Sequence, residues 1–489
     1  MKGPILFVLL AACTTQGDNV DFTGTAVEAI QQNQNLLVPS NVPIPDPSGL
    51  GTTISSTGSI DFSNDFFQNL GTNGRRCVTC HLPTSGWGIT PPQIQLIFAL
   101  TNGGTIDDGL GLGAIFRTND GSVSPNADVS TQAARKQAFA MLLSKGLIRV
   151  GLPIPANAEY SLVAVDDPYG YASANELSLF RRPLPATNLR VLSTVMWDGR
   201  ENSAGQTIHF DLGNQANDAT TGHAQGNPLT ADEEAAIVNL ESSTYFAQTY
   251  DFGAGDLHAA GAQGGPALIE TMPFHIGIND NFGDCIDPAC MVIGAPLGSG
   301  ERGAPFNPDV FTLYNAWTNT NGSNRSQGAD RRAVARGEAL FNTFPITITG
   351  VGGLNDNAAF GSPASLTGAC TTCHDVPNAG NHSVAAPLNI GIAAASLRTP
   401  DMPLYTFRNN TTGEEVQLTD PGRGLITGKW VNLGEFKGPV LRGLAARAPY
   451  FHNGMAADLD AVVDFYNTRF GMGLTAQQHS DLVAFLKTL

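Results

Sequence analysis

Two segments of the chain carry the same arrangement of thiols and imidazole: Cys77-Val-Thr-Cys80-His81 and Cys370-Thr-Thr-Cys373-His374. Two thiols three positions apart can add to the two vinyl groups of one porphyrin, and the histidine that follows is then held beneath the iron as its proximal ligand. Each segment reads as an attachment site for a covalent c-type haem. The competing chemistry is a single zinc ion shared by both cysteine pairs. Zinc ribbons keep their pairs within tens of residues, whereas these lie roughly 300 apart and each carries its own histidine. Two haems are therefore expected.

The other three cysteines speak to compartment. Cys285 and Cys290 bracket Ile-Asp-Pro-Ala with no histidine beside them, the pattern of a local disulfide in an oxidising compartment. Cys13 follows a basic start, Met1-Lys2-Gly3-Pro4, and an apolar run from Ile5 to Ala12. This resembles a lipoprotein signal in which Leu10-Ala11-Ala12-Cys13 is the lipobox and Cys13 takes the lipid; the alternative is a plain secretory signal with an incidental cysteine. Both predict export, to the periplasm or cell envelope, and the first adds a membrane anchor. Residues 14–60, rich in Gly, Ser, Thr, Asn and Pro, read as a flexible tether.

The elements that must position the haems come next. At 489 residues, 42% hydrophobic, the chain is long enough for two or three domains. Acidic residues number 43 against 26 basic, a net charge of −17, which works against a nucleic-acid partner. No apolar run reaches the length of a spanning helix. The predicted architecture is mainly α: two cytochrome c-like haem domains, 61–329 and 330–489, with long loop-rich insertions. Short helices are expected over 64–70 and 91–100. A helix over 330–342 places Val334, Gly337 and Phe341 on one face, with Gly337 admitting a second helix closely. Leu482, Val483, Leu486 and Leu489 form another helical stripe. The span 240–329 shows no clear periodicity.

Three further segments carry a resemblance. Gly438-Pro-Val-Leu-Arg-Gly-Leu-Ala-Ala-Arg-Ala-Pro449-Tyr-Phe-His452-Asn-Gly454, then Leu459-Asp-Ala-Val-Val-Asp-Phe-Tyr466-Asn467, is similar to the second haem domain of bacterial dihaem cytochrome c peroxidases and MauG-type enzymes. Met196-Trp197-Asp198-Gly199-Arg200 resembles the Trp-Asp-Gly-Arg turn of their first domain. The resemblance implies a reactive haem on His81, an electron-transfer haem on His374, and Trp197 as the relay between them. It places the sixth ligand of the second haem at Tyr466, where the peroxidases carry methionine and MauG-type enzymes tyrosine. A phenolate is a hard anion that favours oxidised iron, unlike a neutral thioether. Leu459, Val462, Val463 and Tyr466 share one helical face, which would project the phenol toward a buried haem. The alternative is a core aromatic whose hydroxyl is satisfied elsewhere.

The chain also departs from the family pattern. Relatives place a glutamine and a glutamate on the open face of the reactive haem. Here Gln206 lies near the glutamine position, but Asn227-Pro228-Leu229 is followed by Thr230 rather than glutamate. His209 and His223 are the candidate replacements, as distal base, sixth ligand or structural residue. A helix over 203–210 would put Gln206 and His209 on one face. His452 matches the family histidine near the second haem; His382 is either a support for that haem or a surface turn. Asn188 and the backbone at Pro449 resemble inter-haem calcium ligands, yet the threonine expected before Ala448 is Arg447.

The resulting expectation is an exported dihaem oxidoreductase that uses peroxide, or oxygen plus electrons, to oxidise a small redox protein, a protein substrate or an organic reductant. Two alternatives stand beside it: an oxygenase resembling the dihaem rubber-cleaving enzymes, and a non-catalytic electron carrier with both irons six-coordinate. The acidic surface would steer a basic protein partner without identifying it.

Overall fold

A computed structural model describes residues 37–39, 41–320 and 325–489. The lipidation candidate Cys13 lies outside the described residues. No helix among them is long and apolar enough to cross a membrane.

The mainly α expectation is overturned. The described residues are 31% helical and 18% strand, a mixed α/β architecture with five small sheets. The strands come from period-two stretches that a helical reading passes over. In Leu404-Tyr-Thr-Phe-Arg-Asn409 burial alternates, and Tyr405 and Phe407 are fully inside. That strand lies between Tyr160–Asp166 and Glu415–Leu418 in an antiparallel sheet, so the two spans expected as separate domains share a sheet. Thr244–Asp251, in the region without clear periodicity, is an inner strand of a four-stranded antiparallel sheet.

The same sheet corrects the reading of the tether. Val42–Asp46 pairs with Gly49–Ser55, which pairs with Thr244–Asp251, so the chain is built into the body from residue 42 onward. Composition misled because prolines normally break ladders. Here Pro43 and Pro45 occupy the edge strand, where a missing N–H costs no inner hydrogen bond.

Helical periodicity served better. Arg325–Thr343 and Ala476–Leu486 cross where expected, and a Cβ on Gly337 would stand 1.9 Å from the Asp481 carbonyl oxygen, so only glycine permits this approach. Arg336 clamps Asp481 with two hydrogen bonds of 2.7 Å. Beneath them Phe311, Phe341 and Phe485 pack with ring centroids 5.3 to 5.7 Å apart, and Phe341 reaches the His374 ring at 6.0 Å. The helix expected over 91–100 is Pro91–Thr101, whereas 64–70 yields only a turn at Asp65–Phe67, capped by Asn64. Leu459–Arg469 forms the helix that carries Tyr466.

Candidate haem sites

Both Cys-x-Thr-Cys-His segments are built the same way. Cys77–Cys80 is a single helical turn and Cys370–Thr372 a tighter one. In each, the threonine before the second cysteine accepts a hydrogen bond of 3.0 Å from the backbone N–H preceding the first: Arg76 to Thr79 and Ala369 to Thr372. The following histidine N–H closes the turn onto the first cysteine carbonyl, at 3.0 Å for His81 and 3.1 Å for His374. Each imidazole is then oriented from behind. His81 Nδ1 donates to the Trp87 carbonyl at 3.3 Å and His374 Nδ1 to the Gly380 carbonyl at 2.5 Å. That leaves Nε2 of both rings for a metal. Burial pushes the His81 imidazole down to about 4 and lowers that of His374, so both rings are neutral, as an iron ligand must be.

Each motif opens into its own cavity, one of about 170 Å³ walled by Cys77, Cys80 and His81, the other of about 200 Å³ walled by Cys370, Cys373 and His374. None of these four cysteines is in a disulfide, while Cys285 and Cys290 are bonded to each other. Two separate cavities leave no common zinc site, and the described residues contain no cluster of three or more metal-ligating side chains. Thiols, a neutral axial imidazole and otherwise largely apolar walls fit a haem in each.

Tyr466 lies on the wall of the second cavity with His374. The buried tyrosines Tyr160, Tyr314, Tyr405 and Tyr450 each donate to a backbone carbonyl. Tyr466 hydroxyl takes no hydrogen bond among the described residues, and burial raises its phenol, with Cys373 and Cys370 adding to the effect. Its ring packs against Phe451, Phe465 and Phe470 with centroids 6.1, 5.4 and 6.2 Å away. Met472, on the same wall, was missed because it lies past the end of the helix, where no periodicity places it. His382 is also there, its Nδ1 3.0 Å from Asp375.

Trp197 belongs to both cavity walls. Its Nε1–H donates to the Arg182 carbonyl at 2.7 Å, and its turn is held by a buried ion cluster in which Asp198 pairs with Arg181 and Arg200, and Arg181 grips Asp420 at 2.7 and 2.9 Å. His452 lies behind the indole rather than on either wall, stacked on Phe436 at 4.1 Å with its centroid 6.2 Å from that of Trp197. Burial pushes His452 down to about 4.

The open side of the first cavity differs from expectation. Thr207 caps the helix Ile208–Thr221, so Gln206 precedes it and is exposed, and His209 sits exposed on its first turn. The cavity is lined instead by later turns, at Leu212, Gln215, Ala216, Ala219 and Thr220. His223, just past that helix, does line it, with Nδ1 2.7 Å from Asp120 Oδ2. Burial works to raise the Asp120 carboxyl, but His223 and Arg75 hold it below its ordinary value. The lost glutamate has a counterpart: Thr230 caps the helix Ala231–Ser243, which delivers Ile237 and, one turn on, Glu241 to the same cavity. Glu241 Oε2 has no partner, and burial pushes the carboxyl up to about 8. A glutamate inside the apolar stripe Ile237, Val238, Leu240 was the signal available in the sequence.

Of the residues that resemble inter-haem calcium ligands, Asn188 is held by the backbone of Phe246. Asn188 Oδ1 accepts from the Phe246 N–H at 3.1 Å, its Nδ2 donates to the Phe246 carbonyl at 2.9 Å, and it lies on neither cavity wall. The Arg447 carbonyl accepts from Arg182 at 3.0 Å, and the Arg447 guanidinium donates to the Gly443, Val440 and Arg442 carbonyls.

No family model matches the chain. It is 33% identical over 136 residues to cytochrome-c peroxidase IdrP2 of Denitromonas iodatirespirans, a match covering 25% of this chain and 36% of that protein. Against IdrP1 of the same organism it is 31% identical over 136 residues, covering 24% and 36%. Against cytochrome-c peroxidase IdrP1 of Pseudomonas sp. (strain SCT) it is 29% identical over 143 residues, again 24% and 36%. The chain thus spans about a third of the length of the curated relatives it matches. These matches support a cytochrome c peroxidase-like oxidoreductase with c-type haem.

Proposed function

We propose that this chain is an exported dihaem oxidoreductase that uses peroxide to oxidise a protein or organic reductant, with the tyrosine-ligated second haem of MauG-type enzymes. The observation that supports it most directly is the pair of like-built motif cavities joined at Trp197. Bound at these sites, one haem supplies the centre that accepts oxidising equivalents from peroxide and the other a store for one of them.

The protein residues divide the remaining work. Glu241, protonated at neutral pH, holds a proton at its carboxyl inside the first cavity, and His223, oriented by Asp120, accepts and returns one at its imidazole. Trp197, fixed at both its backbone and its Nε1, provides the aromatic path between the cavities. Tyr466, on the wall of the second cavity and without a hydrogen bond from its hydroxyl among the described residues, would hold the second iron through its phenol oxygen. The lipobox-like segment around Cys13 would tether the enzyme to a membrane in the envelope.

The test is the purified holoprotein. Mass spectrometry should give two covalent porphyrins, and electron paramagnetic resonance should show a high-spin signal that disappears on adding peroxide. Fewer than two porphyrins would end the proposal. No high-spin iron and no cyanide or peroxide binding would favour the electron carrier, and oxygen incorporation into substrate without peroxide would favour the oxygenase.

A further inference from the structure

Besides Trp197, the two cavities have Lys437 and Pro439 in common, and among the described residues Lys437 is the only charged one shared. Its side chain is buried, 7% exposed, and its backbone N–H is bonded to the Trp197 carbonyl at 2.9 Å. The ammonium donates to one group, the Thr194 carbonyl at 3.2 Å, and forms no ion pair among the described residues. An ammonium has three donors, so two remain. Burying a charge without a counter-ion is costly, and folds tolerate it where a ligand brings the opposite charge. Burial with no opposing charge pushes Lys437 down to about 7, consistent with a cation short of an anion.

Of the other cations at these walls, Arg76 borders the first cavity alone, donating to the Phe67 carbonyl at 3.3 Å and leaving its Nε without a partner; the rest are committed. Arg181 and Arg200 serve Asp198 and Asp420, and Arg182 and Arg75 are tied to backbone carbonyls. Lys437 is also the only lysine or arginine on the wall of the second cavity among the described residues. The anions that two porphyrins bring are the carboxylates of their propionate arms.

We propose that Lys437 is a shared counter-ion, its two remaining donors pairing with one propionate from each haem, so that one buried charge positions both cofactors and raises both reduction potentials. This rests on the two-haem reading above. A nearby cation disfavours the more positive ferric state, so removing it makes both haems harder to reduce.

Spectroelectrochemical titration of the holoprotein tests this with Lys437→Met, Lys437→Gln and Lys437→Arg. For the two uncharged variants the one-electron reduction equilibrium of both haems should fall about tenfold, a 59 mV drop in each midpoint. Lys437→Arg should keep both near the wild-type values. Unchanged potentials, or a drop at one haem alone, would overturn the shared counter-ion while leaving the two-haem reading intact, since mass spectrometry counts the porphyrins separately. If neither uncharged variant loads haem, redox-difference infrared spectra of the wild type decide it: carboxylate bands from both haems that shift on exchange into deuterium oxide support the pairing, and their absence refutes it.

Discussion

Glu241→Gln isolates the one orphaned carboxyl in the first cavity. The folded protein keeps the Glu241 proton up to about 8, against an ordinary value of 4.5. Between those values the folded state binds the proton and the unfolded state does not, so stability falls as pH rises from 4.5 to 8 and levels off above. Each pH unit of that window corresponds to about 1.36 kcal/mol. The full window sets a ceiling of about 5 kcal/mol, and partial solvation through the cavity brings the expected effect to roughly 2–5 kcal/mol. Glutamine keeps the shape and removes the titration. Glu435, Glu338 and Glu201, whose carboxyls burial also raises, contribute the same slope to both proteins and cancel in the difference. The assay is guanidinium unfolding of wild-type and Glu241→Gln holoprotein at pH 5 and pH 8.5. The two should be near equal at pH 5, and the variant should be more stable by the stated amount at pH 8.5. Parallel losses would show that Glu241 is ionised or paired in the folded state, removing it as the proton store. The variant should also slow the reaction with peroxide, most at neutral pH.

Four other outcomes follow from the geometry. Trp197→Phe removes the Nε1 hydrogen bond and leaves the Arg182 carbonyl without that donor; it should slow transfer between the haems in stopped-flow spectra without changing the bimolecular reaction with peroxide, and cost about 1–3 kcal/mol in stability. Tyr466→Phe should alter the absorption spectrum of the second haem and leave the first unchanged; an unaltered second haem refutes the ligation. Gly337→Ala places a Cβ against the Asp481 carbonyl, so despite a helix-propensity gain of about 1 kcal/mol it should destabilise by about 2 kcal/mol net in denaturant titrations. Prolonged treatment with a calcium chelator should leave the melting temperature and both haem spectra unchanged, because the Asn188 amide is bonded through both its oxygen and its nitrogen to the Phe246 backbone.

Read alone, the sequence determined what is short-range. Cys77-x-x-Cys80-His81 and Cys370-x-x-Cys373-His374 are legible because the porphyrin reads five consecutive residues, and the Gly337 crossing and the Tyr466 helix face are legible because a helix repeats every 3.6 residues. Tertiary structure decided what depends on partners far away in the chain. Pairing of Val42–Asp46 and Gly49–Ser55 with Thr244–Asp251 turned an apparent linker into sheet, since a strand is stabilised by neighbours that no local window contains. Placement of Gln206 and His209 outside the first cavity was set by where Thr207 caps a helix, and entry of Glu241 by the packing of the next helix. That Lys437 and Trp197 border both cavities emerges only when segments about 240 residues apart are folded against each other, because burial and shared contact are properties of three-dimensional packing.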